Sequence, residues 1–258
     1  MVRIHRVSTK PLSAYVDYLW LTDGYGQPHA QELVLPEPCM TLVVDLDDER
    51  ADAIRMYGVR SHPLVLGASQ PLRLMAAHFR PGDGFPFVAC PAGELHNLDV
   101  SLTTFWPGEI AELRERILEA QTDGERFHEL ECFLVRRLRV SRTGSAAVRH
   151  AIRQFQYPGR AWSVGSVRDQ IGISAQRFIE LFRNDVGLPP KLFARLARFR
   201  RVLGCVDTAD EVDWTDVAIA AGYFDQAHMI RDFRQFAGVT PSAYLSRRTA
   251  TNHVRIPD

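Results

Sequence analysis

The chain has 258 residues, which is enough for two domains that each bury a core of their own. Its hydrophobic fraction of 46% and charged fraction of 24% are those of a folded globular protein, and no run approaches the ~20 apolar residues of a membrane helix. The formal net charge is zero, and the basic excess of the second half, +5, is modest, which disfavours a structural nucleoid-type DNA-binding protein.

The neutral total conceals an uneven distribution of charge. Residues 1–144 contain 15 basic and 20 acidic residues, a net charge of −5, whereas residues 145–258 contain 16 and 11, a net charge of +5. Lys191 is the sole lysine of the basic half, and arginine suits bidentate contact with phosphates and guanine edges. The second half is therefore the candidate for contact with nucleic acid.

The amino terminus and the cysteines indicate the compartment. The first twenty residues lack the apolar core of a signal peptide, and the four cysteines have neither metal-type nor disulfide-type spacing. We therefore expect a cytoplasmic protein with reduced thiols.

The first half of the chain has the pattern of strands. From about residue 12 to residue 107, short apolar runs rich in β-branched and aromatic residues alternate with turn residues such as Pro81-Gly82 and Asp83-Gly84. This spacing predicts an N-terminal β-sandwich or β-barrel.

Helical periodicity replaces this pattern after Pro107. Residues 108–120 and about 123–140 predict two amphipathic helices that bridge the domains, and the polar segment 141–145 predicts a short linker. The predicted domains are 1–144, β-rich, and 145–258, all-α, so the expected fold class is α+β multidomain. The all-α part has about seven predicted helices, at 146–156, 163–171, 175–186, 189–206, 214–221, 226–237 and 241–248, followed by a polar tail that we expect to be frayed.

Two helix-turn-helix units are predicted in the basic half. In the first, a helix from Ser163 stops at Gly172, and Ser174 is placed to cap a second helix whose Phe178 and Phe182 face the core. Such a supported second helix can lie in the major groove of DNA. The open face that would contact DNA consists of Gln176, Arg177, Ile179, Glu180 and Arg183.

The second unit repeats this arrangement about 51 residues later. A helix from Trp214 stops at Gly222, and Asp225 is placed to cap a helix that buries Met229 and Phe233. The long helix between the units would hold the two second helices on successive major grooves, ~34 Å apart. The candidate DNA contacts of this unit are Gln226, Ala227, His228, Ile230, Arg231 and Arg234.

Residues 145–246 resemble the DNA-binding domain of the AraC/XylS family, most clearly in the run from Ala218 to Tyr244 and again from Gly172 to Pro190. The resemblance implies a sequence-specific transcriptional regulator with double-stranded DNA as its partner. Two residues depart from the family pattern: Gln170 replaces a small alanine, and Glu180 replaces a basic or polar residue. Because a carboxylate repels phosphates, we expect the second unit to be the stronger base reader.

The strand-rich half resembles the β-rich, sensor-like domain that precedes this motif in some AraC-type regulators. The resemblance rests on Tyr15-Val16 with Leu19-Trp20, Val34-Leu35-Pro36, Phe79-Arg80-Pro81-Gly82, Phe85-Pro86-Phe87 and Pro91-Ala92-Gly93-Glu94-Leu95. It implies a cupin-like barrel that senses a small molecule or dimerises. The aromatic candidates for a ligand pocket are Trp20, Phe79, Phe85 and Trp106. Relatives often have Pro-Asp-Gly after the Val-Leu-Pro run, where this chain has Glu37-Pro38-Cys39.

A cupin-type metalloenzyme fused to a DNA-binding domain is the alternative. Metal-binding cupins need several histidines and a carboxylate that converge, but the chain has no His-x-His pair. Cys90 and His96 could share a site with Cys39, but a small buried thiol is the commoner interpretation. We therefore expect no catalysis, no metal and no cofactor, and we count RNA polymerase and a second copy of the chain as candidate partners. The metal-ligand candidates under this alternative are His29, His62, His78, His96, Glu32 and Glu94.

Overall fold

The computed structural model describes residues 2–5, 10–25, 31–67, 72–138, 144–157, 163–207, 212–249 and 254–256. His29, most of the predicted linker 141–145 and parts of the tail lie outside these ranges. Within them, no helix combines the length and the apolar character needed to span a membrane.

A six-stranded sheet forms the centre of the N-terminal half. Every neighbouring pair is antiparallel, in the order β1-β2-β7-β4-β5-β8. In β4, Leu42 and Val44 point into the core while Thr41 and Val43 stay partly exposed, as expected for alternating side chains. The strands are β1 (Val2–His5), β2 (Val16–Tyr25), β3 (Gln31–Val34), β4 (Thr41–Asp45), β5 (Ile54–Tyr57), β6 (Leu64–Gly67), β7 (Leu72–Phe79), β8 (Asp99–Ser101) and β9 (Val254–Ile256).

A second sheet corrects two expectations. Strands β6, β3 and β9 form a separate three-stranded sheet, so the described strands make two sheets and not the closed barrel that the sequence suggested. The tail after Arg248 was expected to fray, but β9 pairs antiparallel with β3 and Val254 is fully buried. The polar tail is held because its backbone groups bond to the edge of β3.

Two helices follow the sheets, as predicted. Helix α1 (Pro107–Glu119) starts at a proline and buries Ile110, Leu113 and Ile117, whereas Leu118 is 42% exposed. Helix α2 (Asp123–Leu138) packs against α1 and against the short helical turn at Phe85–Phe87.

The second half is helical, and the described residues contain the seven predicted helices. Their ends lie within one residue of the predicted positions because each end carries a local signal, such as the serine and aspartate caps and the glycines that follow. The helices are α3 (Ala146–Gln156), α4 (Val164–Ile171), α5 (Ala175–Val186), α6 (Pro190–Asp207), α7 (Trp214–Ala220), α8 (Gln226–Ala237) and α9 (Pro241–Arg247).

The second helix of each helix-turn-helix unit ends against the N-terminal half. At the end of α5, Gly187 has φ +94°, and a Cβ there would lie 3.2 Å from the carbonyl oxygen of Ala92. At the end of α8, a Cβ on Gly238 would lie 3.5 Å from Leu33 Cδ1 in β3. The C-terminal ends of α5 and α8 thus contact the N-terminal half of the chain, and their N-terminal ends remain available to another partner.

Candidate nucleic-acid interface

The first helix-turn-helix unit consists of α4 and α5. Helix α4 ends at Gly172 with φ +73°, and the Ser174 hydroxyl accepts a hydrogen bond from the backbone N–H of Arg177 at 3.2 Å. Phe178 and Phe182, on the inner face of α5, are buried. The five side chains predicted to contact DNA are all exposed: Gln176, Arg177, Ile179, Glu180 and Arg183.

An ion pair occupies the middle of this exposed face. Arg177 Nη1 lies 2.9 Å from Glu180 Oε2, and both side chains are 55% exposed. A pair of this kind on a helix surface contributes only about 0.3–0.5 kcal/mol, so a phosphate could displace it. In this structure the Glu180 carboxylate neutralises Arg177, which would otherwise present a positive charge to DNA.

The second unit, α7 and α8, has an acidic cap. The Asp225 carboxylate accepts a hydrogen bond from the backbone N–H of His228 at 2.6 Å, and the His228 ring packs edge-on against Tyr223 with 5.2 Å between centroids. Of the six predicted contact residues, Ala227, Arg231 and Arg234 are exposed, and Gln226, His228 and Ile230 are half-buried.

A buried carboxylate fixes α8 against α6. Arg195 donates hydrogen bonds to Asp232 Oδ1 at 3.0 and 2.6 Å, and the Arg198 guanidinium lies 3.8 Å from Oδ2. The Asp232 side chain is only 3% exposed. Arg198 also lies over the Tyr223 ring at 5.0 Å, and burial raises the pKa of the Tyr223 hydroxyl above its ordinary value. The orientation of the second unit is thus set by α6.

A groove of about 720 Å³ separates the two units, and we call it the α6 groove. Three cations of α6 line it at helical spacing, Lys191, Arg195 and Arg198, together with Arg231 from α8. The sequence predicted α6 only as a spacer between the units, and these residues were missed although they are spaced four and three residues apart. The remaining lining residues are Ser163, Val164, Ala194, His228, Asp232 and Gln235.

A second cavity of about 500 Å³ lies between the N-terminal half and α6, and we call it the interface pocket. Of the four predicted pocket aromatics, Trp20 lines it. Phe79 and Phe85 are buried in the core, and Trp106 lies beneath the Arg137 guanidinium at 3.9 Å. The structure therefore does not bring these four residues together.

The floor of the interface pocket carries a polar cluster. His78 Nε2 lies 3.1 Å from Cys39 Sγ and 3.1 Å from Glu37 Oε2, and Cys39 Sγ lies 3.6 Å from Glu37 Oε2. The other Glu37 oxygen is ion-paired with Arg200 of α6. Within the part of the chain that the structure describes, this is the single group of three histidine, cysteine or acidic side chains whose potential ligand atoms all lie within 4.8 Å of one another.

Ionisation in this cluster follows from burial and from Arg200. Burial raises the pKa of the Glu37 carboxyl, but the hydrogen bond from His78 and the charge of Arg200 outweigh it and hold that pKa at about 2. Burial raises the pKa of the Cys39 thiol well above its ordinary value. In this state Glu37 is a carboxylate and Cys39 a neutral thiol. The contact between His78 and Cys39 was not predicted from the sequence. His96 instead lies with its Nε2 2.9 Å from the Ser61 hydroxyl.

Two protein-family models match separate segments of the chain. Residues 6–101 match a domain of unknown function (DUF6597), and residues 168–247 match a helix-turn-helix domain. No curated protein matches the chain. The helix-turn-helix match begins within α4 and runs to the end of α9.

Several solved structures of ToxT from Vibrio cholerae are similar to this chain. The O395 protein is 12% identical, with 95% of this chain and 96% of that chain covered and a TM-score of 0.43. A P21 crystal form is also 12% identical, with 95% and 97% covered and a TM-score of 0.41. The fatty acid-bound protein of strain SCE256 is 10% identical, with 95% and 94% covered and a TM-score of 0.42.

Proposed function

We propose that this chain, whose residues 168–247 match a helix-turn-helix domain, is an AraC-type DNA-binding transcriptional regulator in which α8 reads bases while α5 chiefly positions the protein. The observation that carries the proposal is the opposite charge at matching positions, Glu180 in α5 and Arg231 in α8. Arginine donates two hydrogen bonds to a guanine edge, whereas glutamate accepts only from cytosine and repels the backbone.

The α6 groove supplies the contact with the DNA backbone. Lys191, Arg195 and Arg198 present cations between the two units, where the backbone of DNA that spans two major grooves would pass. Asp232 neutralises part of this charge, so the groove attracts phosphates without being uniformly cationic. Lys191 is exposed and is the clearest candidate for a phosphate contact.

The interface pocket supplies the site of control. It lies against α6, which connects both helix-turn-helix units, and Arg200 of α6 is ion-paired with Glu37 from the N-terminal half. A small molecule that binds there changes the free energy of this contact and hence the position of the units. We propose that the protein acts in the cytoplasm by binding rather than catalysis, with RNA polymerase or a second copy as further partners.

The test is the affinity of purified protein for an operator obtained by selection from random DNA. We expect a footprint of two adjacent major grooves per chain. Arg231→Ala should reduce discrimination at one base pair by about 1–3 kcal/mol. Lys191→Ala should weaken binding to all DNA sequences alike and lower the slope of log affinity against log salt concentration by about 1. Arg116→Ala, on the exposed side of α1, is the matched control.

Three results would contradict this proposal. A uniform loss of affinity with Arg231→Ala would make Arg231 a phosphate contact, and base discrimination that depends on Arg177 rather than Arg231 would reverse the roles of α5 and α8. A selection that returns no preferred sequence would contradict specific reading altogether.

A further inference from the structure

We propose that Glu37, Cys39 and His78 form a binding site for a divalent transition metal ion, with zinc as the best-fitting ion. Thiolate, imidazole and carboxylate are the ligands that zinc takes in proteins, usually in tetrahedral geometry. The sequence separates His78 from Cys39 by 39 residues and shows no metal-type spacing, so only the fold reveals the site.

The distances between the ligand atoms suit a small tetrahedral ion. Zinc–ligand bonds of about 2.0–2.3 Å give tetrahedral edges of ~3.3–3.6 Å. The three observed edges are 3.1, 3.1 and 3.6 Å, so a bound ion requires the thiol and imidazole to separate by about half an ångström. A rotation of either side chain supplies that movement without a change in the backbone.

The surrounding residues hold the histidine in an orientation that suits a ligand. His78 Nδ1 lies 3.3 Å from the Thr41 hydroxyl, the cross-strand partner of His78 in the β4–β7 register. The ring also stacks on Tyr18, with 4.8 Å between centroids. Metal binding requires the other tautomer: the Nε2 proton that Glu37 accepts passes to solvent, Nδ1 gains a proton and donates it to Thr41, and the lone pair of Nε2 then faces Cys39 and Glu37. Such outer hydrogen bonds accompany most histidine ligands.

The interface pocket leaves a fourth position open. Three protein ligands occupy one side of the ion, and the cavity of about 500 Å³ adjoins the cluster. Three protein ligands with one open position are the arrangement that binds water or an exogenous ligand. When the ion binds, the Cys39 thiol loses its proton to solvent and ligates as thiolate.

The site would transmit metal binding to α6 through Glu37. One Glu37 oxygen faces His78 and Cys39, while the other pairs with Arg200. A divalent cation draws the carboxylate charge towards itself and repels the guanidinium, so it weakens the contact between the N-terminal half and α6. This step rests on the proposed function, because it needs α6 to control the position of α5 and α8 on DNA.

The binding test uses the full-length protein with Co²⁺ and Zn²⁺. We expect one Co²⁺ per chain with a near-ultraviolet thiolate-to-cobalt band, displaced by Zn²⁺. Cys39→Ser should abolish the band, and His78→Gln should weaken binding by at least about 100-fold. The matched control is Cys132→Ser, since Cys132 also contacts a histidine, His128 in α2, at 3.5 Å.

The same titration can overturn the proposal. Absence of a thiolate band, or a band that Cys132→Ser removes and Cys39→Ser does not, excludes the site. Should Cys39→Ser fail to fold, wild-type protein still decides the matter: Zn²⁺ must protect Cys39 from alkylation, mapped by mass spectrometry, and equal labelling with and without Zn²⁺ rejects the site.

Operator binding with and without Zn²⁺ tests the control step separately. We expect Zn²⁺ to change the affinity at least about fivefold in wild type and in Cys132→Ser but not in Cys39→Ser. Metal binding without any change in operator affinity overturns the control step and leaves the site. Loss of all specific DNA binding, with the cobalt band intact, overturns the proposed function alone.

Discussion

The two helix-turn-helix units share a frame and differ on the face that they expose. Fifty-one residues separate Phe182 from Phe233 in the core and Gly187 from Gly238 at the helix ends. At the same spacing, Glu180 of α5 corresponds to Arg231 of α8, which has the opposite charge. Buried positions that hold the fold repeat, because packing restricts them, while exposed positions are free to take different roles.

The units also differ in what holds them. Helix α5 ends against the backbone of Ala92 in the N-terminal half, where little movement is tolerated. Helix α8 is fixed to α6 by the buried carboxylate of Asp232 and meets the N-terminal half through the side chain of Leu33. A change in the N-terminal half therefore acts on the first unit directly and on the second through α6.

Removal of the buried ion pair should have the largest effect on this comparison. Asp232→Ala leaves Arg195 and Arg198 without their carboxylate, and because both remain partly solvated we expect a loss of about 2–3 kcal/mol in the free energy of unfolding. Urea unfolding measures it. The control Glu180→Ala removes an exposed pair and should stay within about 0.5 kcal/mol; equal losses would refute the difference in how the units are held.

Asp83 tests the attachment of the first unit. It is electrostatically coupled to Arg149 of α3 and to Asp185 of α5, and burial raises its pKa to about 6. Between pH 4 and pH 6 the folded chain keeps a proton that the unfolded chain has lost, so the free energy of unfolding falls as pH rises through this range.

Asp83→Asn cannot lose that proton. We therefore expect the variant to be more stable than wild type at pH 7 by about 1–2 kcal/mol, after allowance for partial solvation, and nearly equal to it at pH 4. Thermal unfolding at a series of pH values provides the curves. Parallel curves for the two proteins would contradict the prediction, and Asp169→Asn on the exposed side of α4 is the control.

The helix caps should have smaller and local effects. Ser174→Ala and Asp225→Ala each remove the side chain that accepts a backbone N–H at the start of α5 or α8, at a cost of about 1 kcal/mol. Asp225→Ala should cost a few tenths of a kcal/mol more than Ser174→Ala, because the Asp225 charge also interacts with the positive end of the helix dipole. Hydrogen exchange at the first amides of each helix reports the loss, and faster exchange throughout the domain would indicate global unfolding instead.

The smallest expected change in stability comes from Glu180→Gln. The exposed pair with Arg177 contributes little, so the free energy of unfolding should change by less than about 0.5 kcal/mol. Arg177 is then released towards phosphates, and the salt dependence of DNA binding should steepen by about 1. Glu115→Gln on α1 is the matched control, and an unchanged slope would show that Arg177 does not contact the backbone.

Local signals made the helical half predictable. A cap such as Ser174 and a stop such as Gly172 act within a few residues of themselves, so the helix ends follow from the sequence alone. The sequence also placed the exposed faces of α5 and α8 correctly in outline. The cations of α6 were missed because basic residues at this spacing are common on helix surfaces, and only the fold places them in one groove with Arg231 of α8.

Pairing between distant strands could not be predicted in the same way. The cluster in the interface pocket exists because β4 and β7 align Thr41 with His78, and no local pattern sets that register. Likewise, the polar segment around Val254 becomes a strand only because β3 offers an unpaired edge. The strand pattern left a sandwich and a barrel open, and the closed barrel that the resemblance implied was wrong for the same reason, since closure depends on which strand edges meet.

Strand β9 attaches the helical half to the N-terminal half a second time. The chain leaves the N-terminal half after α2, passes through α3 to α9, and returns to β3 at Val254–Ile256. A segment tethered at both ends stays at high effective concentration near its partner, so the halves separate only by peeling β9 from its edge. Ligand binding at the pocket would then produce small shifts of the helices rather than release of the domain.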